Sequence, residues 1–322
     1  MRIATFLPHT GVFGGVRRFI ELGNAWQAAG HQVTLYHPSG SPPDWLPYAG
    51  RVAPLAAAAD EPSDIAWCAD PHTWRVFRAH RSVRHVYYCV LERDPGLKQA
   101  LADPRVLLAA NSTPLRRALA RRGGRPVLDG IGGIKPSQFH PDSSRRSTAP
   151  LRILVNGRRS RPKKGTDLIL RALEGLRGLP PFEIVLFDSP GEGERDPRDT
   201  AGFPENARYV IGPSQQELVA LYQSAHVFIA AERKAGWCNT ALEAMACGCA
   251  VACTRSGTTD FARDDETSLV VPYRHPWFLR RAARRLLGDA GLRDRLAAAG
   301  PLEAQRWSWE LLAAKLLGSS IP

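Results

Sequence analysis

Short apolar runs alternate with amphipathic stretches along this chain, as expected of strands followed by helices. Ile3-Ala4-Thr5-Phe6-Leu7 reads as a strand. The turn Thr10-Gly11-Val12-Phe13-Gly14-Gly15 leads into helical spacing of Phe19, Ile20, Leu22 and Trp26, which Gly30 stops. Residues 32–36 form the next strand, and a β-α-β unit of this kind predicts a parallel sheet. Further strands are read at 65–68, 85–90 and 106–110, with a basic helix over 114–122. The pattern restarts after a polar stretch: strands at 151–155, 183–187, 209–211, 226–230 and 250–253, and helices at 168–176, 215–223, 241–246, 276–287 and through 292–316. The chain thus predicts an N-terminal Rossmann-like domain over 1–141, a linker over 142–150 and a second Rossmann-like domain over 151–305. A C-terminal helix over 306–322 follows, with a return to the first domain as one option. Ligands of open parallel sheets sit at the carboxyl ends of the strands, so the site is expected in the cleft between the two domains.

The 322 residues suit two domains rather than one core, and 44% hydrophobic residues exclude wholesale disorder. No stretch approaches the ~20 apolar residues of a membrane span, and the opening residues lack a signal-peptide pattern. Six cysteines without a CxxC pair read as reduced thiols, neither a disulfide framework nor a zinc site, and cytoplasmic placement is expected. The net charge is +12, and of 43 basic residues 37 are Arg. Such a balance favours anionic partners or reflects solvated arginines, with neither preferred. No nucleic-acid-binding pattern accompanies the charge. The Arg-rich helical stretches at 115–122 and 278–287 allow peripheral contact with an anionic membrane at its inner face, against the commoner reading of helices packed on a sheet with Arg outward.

Three segments carry candidate chemistry. Gly14-Gly15, between a strand and a helix, allows backbone N–H groups to approach an anion; a tight turn needing positive φ is the alternative. It is not a G-x-G-x-x-G pattern, so a dinucleotide-dependent oxidoreductase loses ground. The loop Asn156-Gly157-Arg158-Arg159-Ser160-Arg161-Pro162-Lys163-Lys164-Gly165-Thr166-Asp167 puts five cations within seven residues at a strand end, where they can neutralise a diphosphate. In Glu232-Arg233-Lys234-Ala235-Gly236-Trp237-Cys238-Asn239-Thr240-Ala241-Leu242-Glu243, a small-residue loop enters a helix bearing Glu243. Glu243 can bind ligand hydroxyls, or Thr240-x-x-Glu243 can be a capping box.

The run Leu242-Glu243-Ala244-Met245-Ala246-Cys247-Gly248 resembles the signature of retaining GT-B glycosyltransferases of the GT4 type (glycosyl transferases group 1). The loop from Gly157 to Asp167 resembles their phosphate loop, and Gly14-Gly15 with Gly30-His31-Gln32-Val33 their opening. Gly133-Ile134 with Phe139-His140-Pro141 looks like their interdomain segment, and 264–272 like their late loop and strand. The resemblance implies an α/β, GT-B fold of two Rossmann-like domains facing each other across a cleft. It implies a hexosyltransferase-like activity that moves a sugar from a UDP- or GDP-sugar to a sugar, lipid-linked or small-molecule acceptor. Configuration would be retained, with no metal and no cofactor beyond the donor. Arg158 and Lys164 would hold the donor diphosphate and Glu243 the ribose hydroxyls. Gly236, Trp237, Cys238, Asn239 and Thr240 would face the sugar and diphosphate, and Gly14 and Gly15 would cover them from the first domain. His72, in Asp70-Pro71-His72-Thr73, is matched loosely to a cleft residue near the sugar.

The chain departs from the family pattern in three places. Ala235, separated from Glu243 by seven residues, stands where the first of two glutamates is usual. Glu232 can substitute only if its loop bulges. Lys135 stands where Asp is usual, and the basic loop is one residue longer, which favours Lys164 over Lys163. The missing glutamate keeps open a second reading, a nucleotide-sugar-binding GT-B protein without transferase activity.

Overall fold

The computed structural model describes residues 1–91, 94–190, 196, 204 and 206–318. The chain forms two compact units, Met1–Gly133 with the chain from Trp307 onward, and Ile134–Arg306.

In the first unit the strands are β1 (Arg2–Phe6), β2 (Gln32–His37), β3 (Arg51–Pro54), β4 (Ser63–Cys68), β5 (Ser82–Cys89), β6 (Val106–Ala110) and β7 (Val127–Asp129). The helices between them are α1 (Gly14–Ala28), α2 (Trp74–Ala79), α3 (Leu97–Ala102) and α4 (Thr113–Gly123). The strand order is β3-β2-β1-β4-β5-β6-β7, with every pair parallel. Both faces are covered: Ile3 and Leu7 enter one core with Phe19 and Trp26, while Ala4 and Phe6 enter the other with Tyr36 and Phe77. Period-two alternation with both faces buried explains why β1 reads as a continuous apolar run.

The second unit contains β8 (Leu151–Asn156), β9 (Phe182–Asp188), β10 (Ala207–Ile211), β11 (Val227–Ala230), β12 (Ala250–Cys253) and β13 (Leu269–Val270). Its helices are α5 (Thr166–Leu173), α6 (Gln215–Ser224), α7 (Asn239–Ala246), α8 (Pro276–Gly288) and α9 (Ala290–Gln305). The parallel order β10-β9-β8-β11-β12-β13 reverses direction between β8 and β11, and the loops leaving those two strands flank a topological switch point.

One boundary differs from the sequence expectation. Residues 134–150 belong to the second unit. Side-chain hydrogen bonds hold them there: Gln223 Nε2 donates to the His140 carbonyl (3.0 Å), His226 Nε2 to that of Ser147 (2.8 Å), and Arg146 Nη2 to that of Cys247 (3.1 Å). The polar composition that reads as a linker therefore serves docking. From Trp307 the chain rejoins the first unit, where α10 (Trp309–Gly318) buries Trp309, Leu312, Ala313, Leu316 and Leu317 in the core of α1. Trp26 Nε1 donates to the Ala313 carbonyl (3.1 Å). The buried Arg18 guanidinium lies over the Trp309 ring (5.3 Å) and donates to the Gly132 carbonyl (2.8 Å). The last residues of the expected C-terminal helix, 319–322, lie outside the described residues.

The arginines of α8 are largely engaged within the unit. Arg280 donates to the carbonyls of Arg171, Ala172 and Glu174 at the end of α5, Arg284 to that of Arg177, and Arg285 pairs with Asp265. Among the described residues no helix is long and apolar enough to cross a membrane. All six cysteines are free and buried.

Candidate functional site

The basic loop leaves β8 at the switch point and ends in a 3-10 turn, Pro162–Lys164, before α5. Its path is set by close approach. A Cβ on Gly157 would lie 2.3 Å from the Tyr209 ring, whose hydroxyl donates to the Gly157 carbonyl (2.9 Å). Gly165 has φ +79°, and a Cβ there would lie 2.3 Å from the Ala231 carbonyl oxygen. Asn156 Oδ1 accepts the Arg158 N–H (3.1 Å), and Arg159 pairs with Asp167 (2.8 Å).

The loop after β11 runs against this turn. The Arg233 N–H donates to the Lys163 carbonyl (2.9 Å), and Arg274 bridges the carbonyls of Ala231 (2.6 Å) and Pro162 (2.8 Å). Lys164 Nζ stands 2.6 Å from Glu232 Oε1, and the Lys164 side chain retains 24% of its exposure. Burial pulls the Lys164 ammonium down, but the Glu232 carboxylate outweighs it and holds the group above its usual range. The buried Cys238 thiol lies in the same neighbourhood; desolvation pushes it well above the thiol range, so it stays protonated.

From Lys234, a non-glycine residue at φ +61°, the chain turns through Ala235 and Gly236 to Trp237, whose ring packs edge-on against Phe261. Cys238 precedes α7, with its N–H bonded to the Gly257 carbonyl (2.8 Å). Asn239 and Thr240 therefore lie inside the first turn of α7. The capping box does not form, because Cys238 occupies the cap position and no side chain caps the helix. Glu243 turns instead into the unit, where its Oε2 accepts the Tyr222 hydroxyl (3.0 Å) with both residues buried.

Lys164, Glu232 and Cys238 are thus brought together, with Arg158 close enough to Lys164 to oppose its charge. Gly14, Gly15 and His72 lie in the first unit. Gly14 and Gly15 form the first turn of α1, and neither has positive φ, so the tight-turn alternative is set aside. A Cβ on Gly15 would meet Val90 at an ordinary 3.8 Å. His72 sits in the 3-10 turn Pro71–Thr73 after β4, 80% exposed, with Nδ1 2.6 Å from Asp70 Oδ1. The Asp70 side chain also accepts the His72 N–H (2.8 Å), a local turn bond. Among the described residues no cluster of three or more His, Cys, Asp or Glu is arranged to hold a metal. A surface depression of about 500 Å³, lined by Arg145, Val210, Glu217, Ala220, Leu221 and Ser224, includes none of the candidate residues; open on the α6 face, it lacks the cations of the loop site. Tyr222, Thr254 and Arg274 support the site without any signal in the sequence, since a helix aromatic, a strand-end Thr and an Arg among 37 are all unremarked there.

Residues 150–289 match the family model "Glycosyl transferases group 1". A D-inositol 3-phosphate glycosyltransferase of Salinispora tropica is 26% identical over 251 residues, covering 69% of this chain and 52% of that protein. The corresponding enzyme of Stackebrandtia nassauensis is 30% identical over 206 residues, covering 58% and 46%. The chain spans about half the length of the curated relatives it matches. Among solved structures, the sucrose-phosphate synthase of Thermosynechococcus elongatus superposes with TM-score 0.79 at 18% identity, covering 98% of this chain and 97% of that one. Anabaena HepE in complex with UDP and glucose gives 0.79 at 15%, covering both chains fully. At these identities the structural likeness establishes the fold. The two parallel-sheet α/β units thus have the GT-B fold of those structures, and the second is similar in sequence to the glycosyl transferases group 1.

Proposed function

We propose that this chain transfers a sugar from a nucleoside diphosphate sugar to an acceptor with retention of configuration. The observation that carries the reading is the juxtaposition at the β8/β11 switch point: a cation-rich loop at one strand end beside a small-residue turn into the helix that bears buried Glu243. Arg158 and Lys164 hold the departing diphosphate, Glu243 takes the ribose hydroxyls, and the turn from Gly236 to Thr240 faces the sugar. Preorganised cations and helix N-terminal amides stabilise the leaving diphosphate without a metal, and the oxygen that leaves takes up the acceptor proton. HepE, of the same fold, was solved with UDP-glucose, and the curated relatives act on inositol 3-phosphate, which supports a nucleoside diphosphate sugar and a hydroxyl acceptor.

Thermal-shift titration with UDP, GDP and their hexose conjugates tests this reading. A ligand at a hundred times its Kd stabilises the folded state by about 2.7 kcal/mol. Lys164→Ala and Arg158→Ala are each expected to weaken nucleotide binding by roughly 10–100-fold, the equivalent of losing a charged hydrogen bond. Unchanged affinity and activity in both variants would sink the assignment. Affinity without donor hydrolysis or transfer would favour the binding protein that Ala235 keeps in view.

A further inference from the structure

We propose that Glu232 is a positioning residue for Lys164: it accepts a hydrogen bond from one ammonium N–H and so aims the other two N–H groups at the donor diphosphate. This rests on the donor reading of the same site. The family pattern places a sugar-binding carboxylate at the position of Ala235, and this chain has none there. Its carboxylate stands three residues earlier and faces the phosphate loop.

Three observations carry the assignment. First, the pair is short, 2.6 Å, and the Glu232 side chain keeps only 10% of its exposure, so little solvent competes for the carboxylate. Second, the backbone around Glu232 is stitched in place from both sides. Thr254 Oγ1 donates to its carbonyl (2.8 Å), Arg233 N–H reaches Lys163, and Arg274 ties Ala231 to Pro162. Third, Lys234 adopts the left-handed conformation at φ +61° between Glu232 and Ala235. L-residues other than glycine rarely adopt this conformation. That kink separates the direction of Glu232 from the turn that follows and leaves it against Lys164.

The charges facing Lys164 are Glu232, Cys238 and Arg158. Only Glu232 stabilises the ammonium strongly, since Cys238 stays protonated and Arg158 opposes it. A lysine in a partly buried site without that carboxylate loses its proton more readily. Glu232 thus keeps Lys164 both charged and oriented.

The test measures UDP and GDP affinity of the full chain between pH 7 and 10 by calorimetry, for wild type, Glu232→Gln, Glu232→Asp and the double variant Glu232→Gln with Lys164→Arg. Wild-type affinity for the nucleotide it binds is expected to stay within about threefold across the range. Glu232→Gln is expected to lose roughly tenfold or more toward pH 10, in line with one lost charged contact. The double variant, whose guanidinium stays protonated, is expected to regain a flat profile, and Glu232→Asp to keep one. A purely structural role would lower affinity equally at every pH. A flat Glu232→Gln profile therefore overturns the proposal, as does a sloping Glu232→Asp profile if Glu232→Gln does not fold. If wild type binds neither UDP nor GDP, the donor reading itself falls and takes this assignment with it.

Discussion

Tyr222→Phe isolates a single hydroxyl in the interior of the second unit. That hydroxyl donates to Glu243 Oε2 at 3.0 Å, and neither residue has appreciable contact with solvent. The ring is held edge-on by Phe139, Phe187 and Phe228 at centroid separations of 6.1, 5.7 and 5.8 Å, and Phe keeps all three contacts. Any change therefore belongs to the hydrogen bond. A bond to a charged, buried acceptor is worth about 1.5–3 kcal/mol, because the carboxylate left behind cannot turn to water. We expect that loss in urea unfolding of the full chain, or a midpoint lower by roughly 3–12 °C for a unit of this size. Crossing Tyr222→Phe with Glu243→Gln should give a coupling energy of about 1 kcal/mol or more, as expected for contacting residues. UDP or GDP affinity should fall as well, since the hydroxyl fixes the carboxylate assigned to the ribose. A Tyr222→Phe protein within about 0.5 kcal/mol of wild type, the range of a neutral surface change, would refute the reasoning, because the hydroxyl would then not be satisfying Glu243.

Two further outcomes are expected. Gly165→Ala combines a left-handed backbone with a Cβ 2.3 Å from the Ala231 carbonyl, whereas Gly124→Ala has φ +59° and open space. Gly124→Ala should cost about 1–2 kcal/mol by urea unfolding and Gly165→Ala clearly more, with weakened UDP or GDP binding only in the latter; equal costs would contradict the close approach. Burial lowers the pKa of His226, whose Nδ1 accepts the Arg152 N–H (3.0 Å) while Nε2 donates to Ser147, and burial lowers His80 and His85 likewise. Below about pH 6.5 the unfolded chain binds protons that the folded chain refuses, so stability falls as pH drops through that value. His226→Gln should make the pH 5–7 dependence of urea unfolding shallower by up to about one proton, and an unchanged slope would count against it.

Much of this was legible in the sequence because parallel strands buried on both faces leave unbroken apolar runs, as at β1 and β8. The edges were not. β3 and β7 have four and three residues, too few for a period to show, and α2 and α3 have only six residues each. The cations and Glu243 were legible as residue types at the right strand ends, but their partners were not. Thr240 and Glu243 have capping-box spacing, yet the chain enters α7 two residues too early for that use, and a buried Tyr on another helix takes the carboxylate. The path of α10 was equally hidden. Trp309, Leu312, Ala313, Leu316 and Leu317 announce an apolar face, but the spacing does not say which core receives it.

That path has a consequence for how the molecule is made. The second unit is a continuous stretch of chain, whereas the first is interrupted by it, and the bond from Trp26 to Ala313 spans 287 residues. Domains ordinarily complete in the order of synthesis. Here the later unit can close while the earlier one still waits for its last helix, with Phe19 and Trp26 on α1 not yet covered from that side. The first unit is therefore the one exposed to holding chaperones and to aggregation during translation. Removing α10 would leave one face of the first unit's core permanently uncovered while the other unit stands complete.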